Sequence, residues 1–193
     1  LQGTEGVLLT GNWCNQYPSH SINDVMFGTD GYLYLAAGDG ANFSGGVADY
    51  GQLGGNPCGD PVNEGGSLRV QDILTPGDPT SFDGSVLRLD VSGGGIAAAP
   101  GNPLVGNGVA DGDYVIAVGR RHPFRMAQRP GTPEMWLSDV GWGTWEEINV
   151  IPSPATPVEN FGWPCYEGGN GVNNTQGSFA SRPMCQNLAS GNI

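Results

Sequence analysis

Lysine is absent from this 193-residue chain: its seven basic residues are all arginine, set against 19 acids for a net charge of −12. So few cations, scattered singly or in pairs, exclude a basic groove for nucleic acid or a polybasic patch for anionic membranes. No CxxC pair occurs among the four cysteines, which excludes the usual close-paired zinc framework. No apolar stretch approaches the roughly 20 residues of a membrane-spanning helix. A secretory leader is not visible either, so the chain reads as a mature or trimmed product. Amphipathic helical periodicity is missing throughout.

The chain does have 34 glycines and 15 prolines, together with five Trp, six Tyr and six Phe. Glycine and proline at that level mark many turns, while the aromatics argue for a packed core rather than disorder. Turn-rich β structure satisfies both. The thiols Cys14, Cys58, Cys165 and Cys185 allow three pairings, and the local ones, Cys14–Cys58 and Cys165–Cys185, are favoured. Disulfides place the chain in an oxidising compartment, extracellular or periplasmic. The sequons Asn42-Phe-Ser44 and Asn173-Asn-Thr175 are compatible with secretion.

Two segments read as variants of one unit. The first contains Asp24-Val-Met-Phe-Gly-Thr-Asp-Gly-Tyr-Leu-Tyr-Leu-Ala-Ala-Gly-Asp39, where Asp30-Gly31 signals a two-residue hairpin, and the later strand Gly84-Ser-Val-Leu-Arg-Leu-Asp-Val91. The second opens with Asp113-Tyr-Val-Ile-Ala-Val118 and runs through Phe124-Arg-Met-Ala-Gln128, Glu134-Met-Trp-Leu-Ser138 and Glu147-Ile-Asn-Val-Ile151. Leu33 and Leu35 match Met135 and Leu137 at an offset of 135 − 33 = 102 residues. Repeated antiparallel units ending in turns predict an all-β chain: a β-propeller, in which each blade typically takes about 40–50 residues, with a β-sandwich as the other architecture that gives such short strands. One blade is expected at about 1–95, with a long loop at 41–82, and a second at about 113–168. A disulfide loop follows at 165–193. Two blades cannot close a ring, so the chain is expected to be part of a larger protein, completed by further blades or by other chains of an assembly.

The chemistry concentrates in Asp139-Val-Gly-Trp-Gly-Thr-Trp-Glu-Glu-Ile-Asn149 and Asn160-Phe-Gly-Trp-Pro164. Carboxylates, bare backbone at Gly141 and tryptophans in one turn predict a hard-cation site built from carboxylate and carbonyl oxygens. Taken singly, the other candidate side chains have plain readings: His20 as a packing residue, Asp39 as a turn residue, Arg121 as an ion-pair partner.

Together they resemble the soluble quinoprotein sugar dehydrogenases, the glucose/sorbosone dehydrogenase family. The motifs occur in that family's order: His20 before Phe27-Gly-Thr-Asp-Gly31, the strand ending in Gly38-Asp39, Gly119-Arg-Arg-His-Pro-Phe124, the turn from Ser138 to Asn149, and Asn160-Phe-Gly-Trp-Pro164. The match spans most of residues 20–168 and is similar to the secreted branch with a cysteine after Gly-Trp-Pro, as at Cys165.

The resemblance implies a six-bladed propeller that oxidises an aldose-like sugar at its anomeric carbon, with hydride passing to pyrroloquinoline quinone. It implies His20 as the base, Asp39 as the carboxylate that orients it, and Arg121 as the cation at the quinone oxygen. It further implies the carbonyls of Gly141 and Trp142 as ligands of the cofactor's calcium. Glu147 and the carbonyl of Phe161 would hold a second, structural calcium. His122 stands at a quinone-contacting position where the family has Asn, and no lysine is present to clamp the quinone's carboxylates. A non-catalytic, calcium-stabilised extracellular propeller, serving in binding, adhesion or assembly, is therefore the alternative reading.

Overall fold

The strand Leu33–Ala37 shows why the chain folds as it does. Its side chains alternate, and both faces are buried. Leu33, Leu35 and Ala37 pack with Phe82, Leu87, Leu89, Val115 and Val118 on one side. Tyr34 and Ala36 pack with Val86, Ile116, Met126, Met135, Leu137 and Ile151 on the other. A strand covered on both faces needs no polar side, which accounts for its continuous apolar run. The computed structural model describes residues 3–11, 13–41, 57–61, 64–72, 81–108, 110–154, 157–168 and 179–190. Both sequons and most of the 41–82 loop lie outside the described residues.

In chain order the strands are β1 (Ile22–Phe27), β2 (Leu33–Ala37), β3 (Val86–Asp90), β4 (Ala97–Ala98), β5 (Val115–Val118), β6 (Pro123–Gln128), β7 (Met135–Asp139), β8 (Glu147–Ile151) and β9 (Glu159–Asn160). One sheet has the order β1-β2-β3-β5-β9, with β4 also on β3; the other is β6-β7-β8. From β1 through β2 and β3 to β5 each strand runs antiparallel to its neighbour, whereas β9 joins β5 in parallel. The two sheets face each other like adjacent blades. Asp24 Oδ2 on β1 accepts the Met126 N–H on β6 at 2.7 Å, across a separation of 102 residues. The repeat offset thus places equivalent strands side by side.

Three expectations change. Val115–Val118, expected to open the second unit, instead belongs to the first sheet, beside β3. All four of its residues are buried, so it needs an interior place with cover on both faces. The first hairpin is wider than a two-residue turn, because Phe27 pairs directly with Leu33. The Asp30 carboxylate is committed to the Tyr34 hydroxyl at 2.8 Å and Arg88 Nε at 2.9 Å, which holds the turn open. Finally, the described residues include an α-helix, α1 (Pro183–Ser190).

The disulfides pair Cys14 with Cys58 and Cys165 with Cys185, at Cα separations of 5.7 and 5.2 Å. The second ties α1 to a small core of Leu68, Cys165, Phe179 and Cys185. Among the described residues no helix is long and apolar enough to cross a membrane.

Candidate active site

The chain passes from the first sheet to the second through residues 119–122, between β5 and β6. Four neighbours fix this crossing by backbone hydrogen bonds. Arg120 N donates to Gly84 O at 3.1 Å, and Asp39 N to Arg121 O at 2.9 Å. Trp163 N donates to Gly119 O, and Val140 N to His122 O, both at 3.1 Å. Residues far apart in sequence therefore meet where the two sheets part.

His20 is buried and adopts a left-handed backbone at φ 53°, a conformation uncommon for a residue with a side chain. It is held there by a hydrogen bond from Gly40 N to its carbonyl at 3.1 Å. Gly38 permits the approach, because a Cβ at that position would lie 2.4 Å from His20 O. The His20 ring places Nδ1 2.8 Å from Asp39 Oδ1. Asp39 is fully buried. Its Oδ1 also accepts the Ala41 N–H at 3.1 Å, and its Oδ2 accepts the Trp163 indole N–H at 2.8 Å. A carboxylate so placed keeps the proton of a neutral imidazole on Nδ1, which leaves Nε2 as the nitrogen that takes up a proton.

His122 packs edge-on against His20, with ring centroids 4.7 Å apart. Its Nδ1 is buried and has no hydrogen-bond partner among the described residues. Burial holds its pKa below the ordinary histidine value, and the charges of His20 and Arg121 act in the same direction. Arg121 lies beside the pair, with its guanidinium carbon 5.6 Å from the centre of the Trp163 ring. Its Nη1 donates to Val140 O at 3.2 Å and to Gly141 O at 2.9 Å.

Asp139 is the residue that sequence reasoning left without a role. Its Oδ1 accepts the His122 N–H at 2.6 Å and its Oδ2 accepts the Arg121 N–H at 3.2 Å. One buried carboxylate thereby sets the direction of both side chains. Burial raises its pKa to about 6, against the lowering effect of Arg120. Arg120, fully buried, places Nη1 3.8 Å from Asp139 Oδ2. Its guanidinium carbon lies 3.8 Å from the centre of the Phe161 ring. Burial lowers its pKa to about 10, so it stays charged at neutral pH.

The Gly141 turn is crowded and rich in oxygen. A Cβ at Gly141 would lie 1.5 Å from Trp145 O and 2.7 Å from Glu167 Oε1, so only glycine fits. Glu167, also unassigned from sequence, accepts the Trp142 N–H. Glu146 accepts that of Gly141 at 3.3 Å. The Trp142 and Trp145 side chains are exposed. No group of three or more His, Cys, Asp or Glu side chains among the described residues could hold a metal ion. A cation at this turn would depend on backbone carbonyls, and the Gly141 and Val140 carbonyls already face a cationic group.

The structure thus brings together His20, Asp39, Arg121, His122 and Gly141, and adds Asp139 and Trp163. Glu147 and Phe161 belong to a second neighbourhood around Arg120. A quinone has one half of its needs met here, with cationic and imidazole side chains beside carbonyls directed at positive charge. Arg69 and Arg88 cannot serve its carboxylates from where they lie. Arg69 is paired with Asp60 and Asp83, and Arg88 with Asp30.

The sequence profile of the glucose/sorbosone dehydrogenase family matches residues 5–187. The HIPL2 protein of Arabidopsis thaliana is 31% identical in an alignment 166 positions long that covers 79% of this chain and 19% of that protein. HIPL1 of the same plant is 28% identical over the same shares. The chain therefore spans about a fifth of the length of these curated relatives. Among solved structures, a candidate glucose dehydrogenase from Thermus thermophilus superimposes with a TM-score of 0.60 at 28% identity, covering 89% of this chain and 41% of that one. The PQQ-bound aldose sugar dehydrogenase of Streptomyces coelicolor gives 0.51 at 25% identity, over 80% and 34%. The two facing sheets are thus a portion of the propeller fold of these dehydrogenases.

Proposed function

Because the chain belongs to the glucose/sorbosone dehydrogenase family, we propose that His20, Asp39 and Arg121 form the proton-transfer half of a site oxidising an aldose-like sugar at its anomeric carbon. His20 Nε2 takes the proton from the anomeric hydroxyl, the work of a general base held within reach of the group it deprotonates. Asp39 holds the ring through Nδ1 and stabilises the imidazolium that forms. Arg121 supplies positive charge beside the developing negative charge. Pyrroloquinoline quinone, when bound, supplies the two-electron acceptor for the hydride leaving the sugar. Arg121 and His122 would contact it, Arg121 Nη1 leaving Gly141 O to do so, and the carbonyls of Gly141 and Trp142 would then hold an accompanying calcium, whose hard-ion character suits oxygen donors.

The observation that carries this reading is the 2.8 Å His20–Asp39 contact, buried beside Arg121, with Trp163 on the second carboxylate oxygen. The remaining basic groups for the quinone would come from the rest of the propeller. The two disulfides fit a secreted or periplasmic protein.

A second reading, a non-catalytic extracellular binding or assembly propeller, draws on His122. Its Nδ1, without a hydrogen-bond partner among the described residues, stands where the family resemblance places Asn. Reconstituting the full-length protein with the quinone and calcium, followed by gel filtration and a glucose-dependent dye-reduction assay, separates the two. Retained quinone absorbance with dye reduction supports the enzyme. Loss of the absorbance together with no dye reduction leaves the binding module.

A further inference from the structure

Strands β7 and β8 pair so that Asp139 lies directly opposite Glu147. Side chains so opposed have Cβ atoms about 4.5–5.5 Å apart, and like charges there repel. Asp139 is buried and Glu147 half-buried, so water screens this repulsion poorly. A cation is needed. The family resemblance would supply calcium, held by Glu147 and the Phe161 carbonyl.

The chain supplies its own cation instead. The Arg120 guanidinium sits 3.8 Å from Asp139 Oδ2 and over the Phe161 ring, with none of its surface exposed. A guanidinium with no hydrogen-bonded partner among the described residues is costly to bury unless negative charge surrounds it. Here that charge comes from Asp139 and Glu147, both of which act electrostatically on Arg120. The carboxylate oxygens are also largely committed. Asp139 receives the N–H groups of Arg121 and His122, while Glu147 receives those of Gly168 and the Asn149 amide. Calcium takes six to eight oxygens, and a divalent ion here would also face the guanidinium charge.

We propose that Arg120 is the resident counter-cation of the Asp139–Glu147 pair and replaces the structural calcium that the family resemblance implies at Glu147 and Phe161. The crossing that carries Arg121 and His122 is then set by a charge built into the chain. This assignment holds whether or not the site oxidises sugars.

The test is the melting temperature of the full-length protein, free of quinone, in chelator and in calcium. Wild type, Glu147→Gln and Arg120→Met are compared. Wild type and Glu147→Gln are expected to respond to calcium identically, so that an ion bound at the Gly141 turn cancels from the comparison. Arg120→Met is expected to melt lower in chelator and to gain a calcium-dependent rise larger than that of wild type. A wild-type rise in calcium that Glu147→Gln abolishes would overturn the proposal. So would an Arg120→Met protein that melts lower without any added response to calcium. Should Arg120→Met fail to fold, the comparison of wild type with Glu147→Gln decides alone.

Discussion

Replacing Asp139 with asparagine should remove a pH trend in stability. The folded carboxyl titrates at about 6 instead of the ordinary 3.8, because burial outweighs the pull of Arg120. A folded pKa above the unfolded one means that the native state holds the proton more tightly. The resulting stabilisation is fully present below about pH 3.8 and is lost as pH rises through about 6. A shift of about two units, at 1.36 kcal/mol each, amounts to roughly 3 kcal/mol. Asparagine does not titrate. It keeps one acceptor oxygen for the two N–H groups of Arg121 and His122, so it carries a deficit of about 1–3 kcal/mol that is constant with pH. The buried Asp83 is also shifted upward, but it is present in both proteins and cancels. The assay is urea unfolding of both proteins between pH 4 and 7.5 in calcium-free buffer. The wild-type advantage over Asp139→Asn is expected to shrink by roughly 3 kcal/mol across that range. An advantage that grows with pH would mean that pairing with Arg120 outweighs burial, and the reasoning would be refuted.

Other outcomes follow from the same geometry. Asp39→Asn removes the acceptor that fixes the His20 tautomer, so kcat should fall on the order of 10²-fold or more, with quinone retention unchanged; steady-state kinetics beside absorbance of the gel-filtered protein checks both. Gly38→Ala drives a methyl to 2.4 Å from His20 O and should cost at least about 1–3 kcal/mol in urea unfolding. Replacing Cys165 and Cys185 with serine opens a loop of sequence separation 20. It should destabilise the chain by about 3 kcal/mol, seen as a lower denaturation midpoint.

Much of the fold was legible because its signals are local. The continuous apolar run of Leu33 to Ala37 and the 102-residue offset between β2 and β7 are visible in the sequence, and both shape the core between the sheets. The placement of Val115–Val118 was not legible, since an apolar run says that a strand is covered on both faces but not by which neighbours. Helix α1 was missed for a different reason. Eight residues are too few for an isolated helix to be stable, and this one depends on Cys185 and on packing against Leu68 and Phe179. In the site, the family resemblance pointed to His20, Asp39 and Arg121, and the bare backbone of the turn to Gly141. Asp139 and Arg120 gave no such signal, because their roles depend on strand register: Asp139 faces Glu147 and meets two backbone N–H groups from a crossing nearly 20 residues earlier. The adjacent Arg120-Arg121 pair was the available clue, since two neighbouring arginines cannot both face the same pocket.

The central claim, that His20 is the base of a sugar-oxidising site, is tested most directly by one comparison. Full-length wild type and His20→Ala, each loaded with quinone and calcium, are assayed for glucose-dependent dye reduction. The account expects His20→Ala to lose about 10²- to 10⁴-fold in kcat while retaining the quinone absorbance. A His20→Ala protein that keeps the quinone and turns over at the wild-type rate would contradict it.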